Sequence, residues 1–513
     1  MSVVNTKDID DWTDSVNLVK RHGQFHTVNI KYGYIIFGLS ILFISIRTLS
    51  LWFYQRSWKK SGRSTSFLNI TSLPLPLSIS LLTLVVAILM VINPHFEKIS
   101  VSIKRLGRLS YALVPLDIFL AARPSWFSID NYVNTIILHK WVSRLIVVLG
   151  ILHSIGFLIY YAQVGTFNKV FKLVNFLGVT VFSFSVFMMI FWKPIRNYNY
   201  QLFYIYHNFF MILFVVLIFF HARPGVTFYS FINIILLFVG LLKKYIYAKN
   251  ITMTEIIENP ESDLIIVKFP KGLLPESYVP GCHVRIGYNK LSPLFLLTQS
   301  HPYTVASTFE NRDLLASLVI KKTKFKLEPF ETYSIQTNFN SSLNVCFFNS
   351  VDNVCIVCGG SGISLGLGIF EYLKRCIIAE GRDIKMKFIW VTSKEEDAFI
   401  LQELGIQGVD VFISDHSTDG YEVIEDNNEE NIPLTDLSNH SQDSLNSFEH
   451  KFSNTVVIGK RPKLEAMLVK NLSKTIDYAN KWIISCGPTS MNEDCALIAK
   501  KQKCRFFSEE YAF

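Results

Sequence analysis

The first 281 residues contain no cysteine. Nothing in the spacing of the eight that follow (Cys282, Cys346, Cys355, Cys358, Cys376, Cys486, Cys495 and Cys504) demands a disulfide framework, so a reduced, cytosolic C-terminal half is expected. Cys355 and Cys358 form a C-x-x-C without a second cysteine pair, which argues against a metal or redox role there. The stretch from Met1 to Asp11 is polar and acidic, so a cleavable signal peptide is not expected. No basic stripe is present, and a net charge of +9 is modest for 513 residues, which argues against nucleic acid as a partner.

What is abundant is apolar surface. Half of the residues are hydrophobic, and they are concentrated before about residue 248. Apolar runs at 32–54, 75–93, 108–122, 136–161, 172–192, 201–221 and 226–247 are long enough, or nearly so, to cross a bilayer, giving an expectation of about seven spans in contact with lipid. The third run is the weakest, because it contains Pro115 and Asp117 and ends at Arg123-Pro124. Basic clusters flank the runs (Arg56, Lys59, Lys60 and Arg63; Lys243, Lys244 and Lys249). With a cytosolic C-terminal half, seven spans put the N-terminus outside. The 94–108 loop would then carry Lys98, Lys104, Arg105 and Arg108 on the outer side, against the positive-inside tendency.

Two of these runs share a pattern. His139 and His153 are separated by 14 residues, and so are His207 and His221. In a helix that spacing is roughly 21 Å along the axis, and the second ring falls within about 40° of the first. Ionisable groups inside spans are rare and usually functional. Two such helices side by side would offer two imidazoles at each of two membrane depths, a geometry suited to two haems with histidine on both axial faces. The fourth and sixth spans cross in the same direction. His139 is therefore expected to pair with His207 near the cytosol, and His153 with His221 near the outer face.

From about residue 250 the pattern is that of a soluble protein. Short β-rich runs (Leu264–Phe269, His283–Tyr288, Leu315–Lys321) broken by proline and glycine predict a small barrel. From Asn353, apolar strands (Val354–Cys358, Met386–Val391, Thr455–Gly459, Trp482–Ser485) alternate with helical stretches, which predicts a parallel α/β sheet. The segment 414–450 interrupts it with ten acids and no Lys or Arg, and is expected to be a disordered insertion. After the first α/β strand, Gly359-Gly360-Ser361-Gly362 opens a helix. Glycine lets backbone N–H groups approach a pyrophosphate, and a helix N-terminus favours negative charge.

The histidine pairs together with His301-Pro302-Tyr303-Thr304 resemble the ferric reductase and NADPH oxidase superfamily, whose flavin motif is His-Pro-Phe-Thr. The resemblance runs from about residue 75 to the end, and the extra first span resembles a yeast metalloreductase-like branch. It implies a multi-span α-helical membrane domain with bis-His haems, followed by a β-barrel FAD domain and an α/β NADPH-binding domain of the ferredoxin reductase kind. The expected bounds are 1–31 for an N-terminal tail, 32–248 for the membrane domain, 249–350 for the barrel and 351–513 for the α/β domain.

The resemblance also implies roles. His301, Pro302, Tyr303 and Thr304 would meet the flavin, and Lys321 and Lys322 its pyrophosphate, although Lys324 and Phe325 stand where the family has a glycine. Gly359, Gly360 and Gly362 would cradle NADPH, with Gly487 and Pro488 beside it. Cys486 would lie next to the hydride path, and Phe513 would cover the flavin from the C-terminus. Lys394 or Arg461, the latter in Gly459-Lys460-Arg461-Pro462 with a lysine inserted relative to the family's Gly-Arg-Pro, would meet the 2′-phosphate.

The implied cofactors are FAD, NADPH and two haem b. The implied activity is passage of electrons from cytosolic NADPH across the membrane, most readily to ferric or cupric ion. Dioxygen, giving a superoxide-generating oxidase, is the alternative acceptor, and a catalytically degenerate membrane scaffold is a further one. Plasma membrane and endoplasmic reticulum are both compatible with the sequence.

Overall fold

The computed structural model describes residues 29–49, 75–92, 99–123, 126, 132–253, 255–275, 278–308, 314–323, 325–339, 341, 343, 345–414, 432–433, 454–459, 462–472 and 480–509. The chain divides into two compact units, Met1–Ile246 with Leu296–Gln299, and Tyr247–Phe295 with Ser300–Phe513.

The first unit is helical. Five helices among the described residues are long and apolar enough to cross a membrane: α1 (Asn29–Leu49), α5 (Thr135–Gln163 within the helix Tyr132–Gln163), α6 (Leu173–Tyr198), α7 (Tyr200–Ala222) and α8 (Thr227–Tyr247). Between α1 and α5 lie α2 (Leu75–Val91), α3 (Ile99–Ala112) and α4 (Val114–Ala121). The count differs from the expectation of about seven spans. At 17 residues, α2 reaches only the lower limit of a spanning helix. The third expected run is broken in two at Leu113. Pro115 has no N–H for the carbonyl four residues back and its ring crowds that carbonyl, so α3 cannot continue through it.

Most of the expected 94–108 loop is also helix. Arg105 of α3 is buried, and its guanidinium lies over the Tyr32 ring at 4.2 Å and donates to the carbonyls of Ile92 (2.5 Å), Met90 (3.3 Å) and Leu89 (3.5 Å) at the end of α2. A cation counted as a loop charge therefore caps a helix inside the unit. Outside its packed centre, this unit exposes large apolar side chains such as Val148, Phe187, Phe209 and Ile234, as a lipid-facing surface does.

The second unit begins with two small sheets, β1–β7–β4–β5 and β2–β3–β6, bridged at Val305 and Leu318. Their strands are β1 (Lys249–Thr252), β2 (Glu255–Glu258), β3 (Leu264–Pro270), β4 (His283–Tyr288), β5 (His301–Thr304), β6 (Leu315–Lys321) and β7 (Thr332–Phe339). All pairings are antiparallel and enclose one apolar core that includes Val267, Phe269, Val284, Leu318 and Ile335.

A seven-stranded sheet follows in the order β11–β12–β10–β9–β8–β13–β14, parallel except for β11. It comprises β8 (Asn353–Gly359), β9 (Lys385–Thr392), β10 (Val409–Ile413), β11 (Ile432–Pro433), β12 (Thr455–Ile458), β13 (Lys481–Cys486) and β14 (Arg505–Glu509). Val354–Cys358 of β8 and Phe388–Trp390 of β9 are apolar and buried, as strand segments covered on both faces must be. The strands β10 and β14 were not among those the sequence marks. Of the expected insertion 414–450, Ser414 and Ile432–Pro433 are described, the latter pairing with Thr455 and Val456; the rest lies outside the described residues.

Candidate functional site

The expected histidine pairs meet. The rings of His139 and His207 have centroids 6.2 Å apart and lie at 84° to one another; those of His153 and His221 are 6.4 Å apart at 80°. Two imidazoles bonded to one metal from opposite sides, with metal–nitrogen bonds of about 2 Å, set their ring centres roughly 6 Å apart. Both gaps therefore have the width that a single bound iron requires.

The tautomers agree with this. His153 Nδ1 lies 2.8 Å from the carbonyl of Ile103, and His221 Nδ1 lies 2.7 Å from that of Val174. His139 Nδ1 meets the Asp117 carbonyl at 3.2 Å and its carboxylate at 2.9 Å. Every partner here is an acceptor, so each Nδ1 carries the proton and each Nε2 keeps its lone pair for a metal. His207 stacks on Phe203, one turn earlier in α7, at 5.5 Å.

Neighbouring helices fix the rings from behind. A Cβ on Gly107 of α3 would lie 2.8 Å from His153 Nδ1, and one on Gly178 of α6 would lie 2.5 Å from His221 Cε1. Each ring occupies the volume that a side chain would otherwise take. The α7 helix starts where Asn199 Oδ1 accepts from the Leu202 N–H at 3.0 Å, a cap that sets the phase of His207 and His221. Asp117, Ser143, Gly107 and Gly178 were not singled out in the sequence. Asp117 was visible only as a flaw in a hydrophobic run, and glycine is common in membrane helices.

In the second unit, His301-Pro302-Tyr303-Thr304 is β5, at the edge of its sheet, where Pro302 lacks an N–H at little cost. His301 stacks on Phe325 at 4.4 Å, so the aromatic that stands in the family's glycine position supports the motif's first residue. The His301 Nε2 is buried without a hydrogen-bond partner, and burial with Arg285 nearby pushes its pKa down to about 4. Tyr303 is held well above the usual phenol range by burial. Thr304 is buried, beside Val305, which joins the two sheets. An unpartnered ring nitrogen on an edge strand, with an aromatic plane against it, fits a flavin-binding edge.

Lys321 ends β6 and is exposed; Lys322 donates to the carbonyl of Asn259 at 3.0 Å. Both act on Asp263, whose main partner is Lys394 at 2.7 Å, and together the three lysines hold that carboxyl below the usual range. Lys394 also donates to the Glu261 carbonyl at 3.0 Å. It is thus engaged by the β2–β3 turn. Buried Asp397 pins that turn further, accepting from Ser262 Oγ at 2.5 Å and from the Asp263 N–H at 3.2 Å.

Strand order creates a crevice. From β8 the chain adds β9, β10 and β12 on one side, and β13 and β14 on the other, so the direction of winding reverses between β8 and β13. Ligands bind at the carboxyl ends of strands at such a switch point. Here β8 ends in Gly359-Gly360-Ser361-Gly362 and β13 in Cys486-Gly487-Pro488. A Cβ on Gly362 would run into the Cys486 carbonyl oxygen, and one on Gly359 would meet Pro488 Cδ at 2.8 Å. Gly360 adopts a φ of +51°, and its carbonyl accepts from Trp390 Nε1 at 3.0 Å. The helix Ile363–Glu380 starts directly after this turn with no acid in its first turn, so its N-terminus is open to an anion. This is a cradle that glycine alone can form, and it fits a dinucleotide pyrophosphate.

Cys486 is fully buried against Gly362. Cys355 is pushed up to about 12 by burial, and Cys358 is pushed further above the usual thiol range, so both are held as thiols. Arg461 and Phe513 lie outside the described residues.

Three family models match in sequence along the chain: a ferric reductase like transmembrane component over residues 106–218, an FAD-binding domain over 248–347, and a ferric reductase NAD binding domain over 351–500. The relative "Probable metalloreductase AIM14" of Scheffersomyces stipitis is 34% identical over 524 residues, covering 96% of this chain and 98% of its own. The protein of that name from Zygosaccharomyces rouxii is 34% identical over 547 residues, covering 97% and 100%. Among solved structures, a ferredoxin NADP+ reductase from Neisseria gonorrhoeae with FAD and NADP overlaps 52% of this chain and 98% of its own, at 14% identity and a TM-score of 0.36.

Proposed function

The chain belongs to the ferric reductase family, and on that premise we propose that it is a transmembrane, NADPH- and FAD-dependent metalloreductase with two haems. In the net reaction one NADPH reduces two ferric (or cupric) ions, giving NADP+ and a proton. The observation that carries the haem part of this reading is the pair of histidine couples at 6.2 and 6.4 Å, with acceptors on the Nδ1 side of His139, His153 and His221. Metal ion as acceptor rests on what the relatives are called.

FAD supplies the conversion of a two-electron hydride into single electrons, and haem supplies one-electron carriage. The protein's part is to hold and order these groups. Gly359, Gly360 and Gly362, with the N-terminus of the following helix, bind the NADPH pyrophosphate, while Gly487 and Pro488 form the opposite wall. Arg461, which follows β12 in sequence, takes the 2′-phosphate, since Lys394 is paired with Asp263. Cys486 backs the nicotinamide side, and Phe513 covers the flavin until nicotinamide arrives. His301 to Thr304 hold the isoalloxazine edge and Lys321 and Lys322 its phosphates.

His139 with His207 forms the inner ligand pair and His153 with His221 the outer one. The α7 helix carries His221 beside its short turn into α8, and α8 returns to the face from which the chain continues to β1. His207, nearly four turns earlier in α7, is thus read as nearer the membrane face at which α8 ends.

The purified full-length protein tests this. A reduced-minus-oxidised spectrum of two b-type haems, and anaerobic NADPH-driven reduction of ferric chelate, are the expected results. Haem reduction without metal reduction, with superoxide formed in air, would transfer the protein to the oxidases. No haem spectrum at all would leave only a scaffold.

A further inference from the structure

The two ligand pairs are not supported alike. His153 and His221 each donate from Nδ1 to a neutral backbone carbonyl. His139 instead faces a carboxylate: Asp117 Oδ1 lies 2.9 Å from its Nδ1 and the Asp117 carbonyl 3.2 Å. Asp117 is buried, and Ser143, one turn after His139 in α5, donates to both of its carboxylate oxygens at 2.9 and 2.8 Å. The break at Leu113 makes this possible. It ends α3, and the separate helix α4 brings Asp117 against α5.

A carboxylate in hydrocarbon is costly and is retained where it has work to do. Second partners of this kind raise the basicity of a ligating imidazole, and a carboxylate does so more than a neutral carbonyl, while adding a negative charge close to the metal. Both effects favour the oxidised metal.

We propose that Asp117 is a positioning residue that holds the reduction potential of the inner haem below that of the outer one, so that electron passage from the His139–His207 pair to the His153–His221 pair runs downhill. The device is an asymmetry in the ligands' second partners: carboxylate on the inner side, backbone carbonyls on the outer. It rests on the bis-histidine reading above. It assigns to the membrane unit itself a direction that the near-symmetric histidine spacing does not contain.

The test is anaerobic spectroelectrochemical titration of the full-length protein in detergent. The wild-type chain is expected to show two one-electron steps. In Asp117→Asn, which keeps shape and an acceptor oxygen but removes the charge, one step rises by at least a tenfold shift in its reduction equilibrium, about 59 mV for one electron, and the other does not move. Repeating the substitution in a His153→Ala/His221→Ala background assigns the step to the inner pair.

Ser143→Ala removes the hydroxyl that draws charge from the carboxylate, so it shifts the same step downward. A merely structural role for Asp117 would not give opposite signs in the two variants. Unchanged potentials in Asp117→Asn, or a shift confined to the outer haem, overturn the proposal. Where Asp117→Asn does not retain haem, an unmoved or upward step in Ser143→Ala overturns it. A wild-type protein without two haems overturns the bis-histidine reading instead, a separate outcome.

Discussion

A Cβ placed on Gly178 would stand 2.5 Å from Cε1 of His221, closer than any real side chain sits to a ring. The imidazole leans on bare backbone of α6, and its Nδ1 is tied to Val174 one turn away. Gly178→Ala must therefore push the ring out of line with His153. Haem content per protein is expected to fall to about half, with one set of absorbances lost and the other kept. Gly107→Ala, which meets His153 in the same manner, should do likewise. Gly150→Ala, whose Cβ would have 3.8 Å to Ser110 Oγ, should leave haem content unchanged. Pyridine haemochrome assay of the purified variants reads all three.

Gly362→Ala separates the strand-end crevice from the barrel. The new methyl runs into the Cys486 carbonyl, so the turns after β8 and β13 must part, at a cost of about 1–3 kcal/mol. FAD content should stay near wild type, while anaerobic flavin reduction by NADPH slows by tenfold or more. Equal losses of bound FAD and of flavin reduction would place the damage in the barrel instead.

The proposed flavin edge carries a pH dependence. His301 has its pKa lowered from 6.5 to about 4 in the folded chain. Between those values the unfolded chain binds the proton and the folded one does not, so stability rises with pH across that window. The contribution is complete above about pH 6.5 and is lost as pH falls toward 4. His283, lowered to about 3 by burial, adds to the same trend. Thermal release of flavin fluorescence should therefore shift to lower temperature as pH falls from 6.5 to 4.5. His301→Gln should flatten that slope in part, and an unaltered slope would show that His301 titrates normally.

The histidine pairs were legible because 14 residues is near a whole number of helical turns, and helical periodicity acts directly on sequence. The glycine turn after β8 was legible because it follows an apolar strand and opens a helix. What supports them was not. Asp117 and Pro115 read as defects in a span; in the fold Pro115 makes the break and Asp117 reaches His139 across it. Arg105 read as a misplaced loop charge, yet it is buried under Tyr32 and holds the end of α2. Lys394 sat at a family-like position, but its partner Asp263 is 131 residues away in sequence. Each of these depends on a contact between distant segments, which local pattern does not encode.

Arg105 supplies a stability prediction. Removing a buried guanidinium that satisfies three carbonyls strands those acceptors in an apolar setting. Arg105→Ala should cost roughly 1–3 kcal/mol. Arg105→Lys, lacking the planar fork, should recover only part of that. A thermal-shift assay in detergent should rank the proteins wild type, Lys, Ala; equal midpoints would mean that the guanidinium contributes nothing.

The central claim is transfer of electrons across the membrane, and sealed liposomes test it most directly. Protein is reconstituted with a ferric chelate and a ferrous indicator trapped inside, and NADPH, which does not cross the bilayer, is added outside under anaerobic conditions. The account predicts ferrous ion inside the vesicles at two per NADPH consumed, abolished by His153→Ala/His221→Ala. NADPH consumption and full haem reduction with no ferrous ion inside would contradict it.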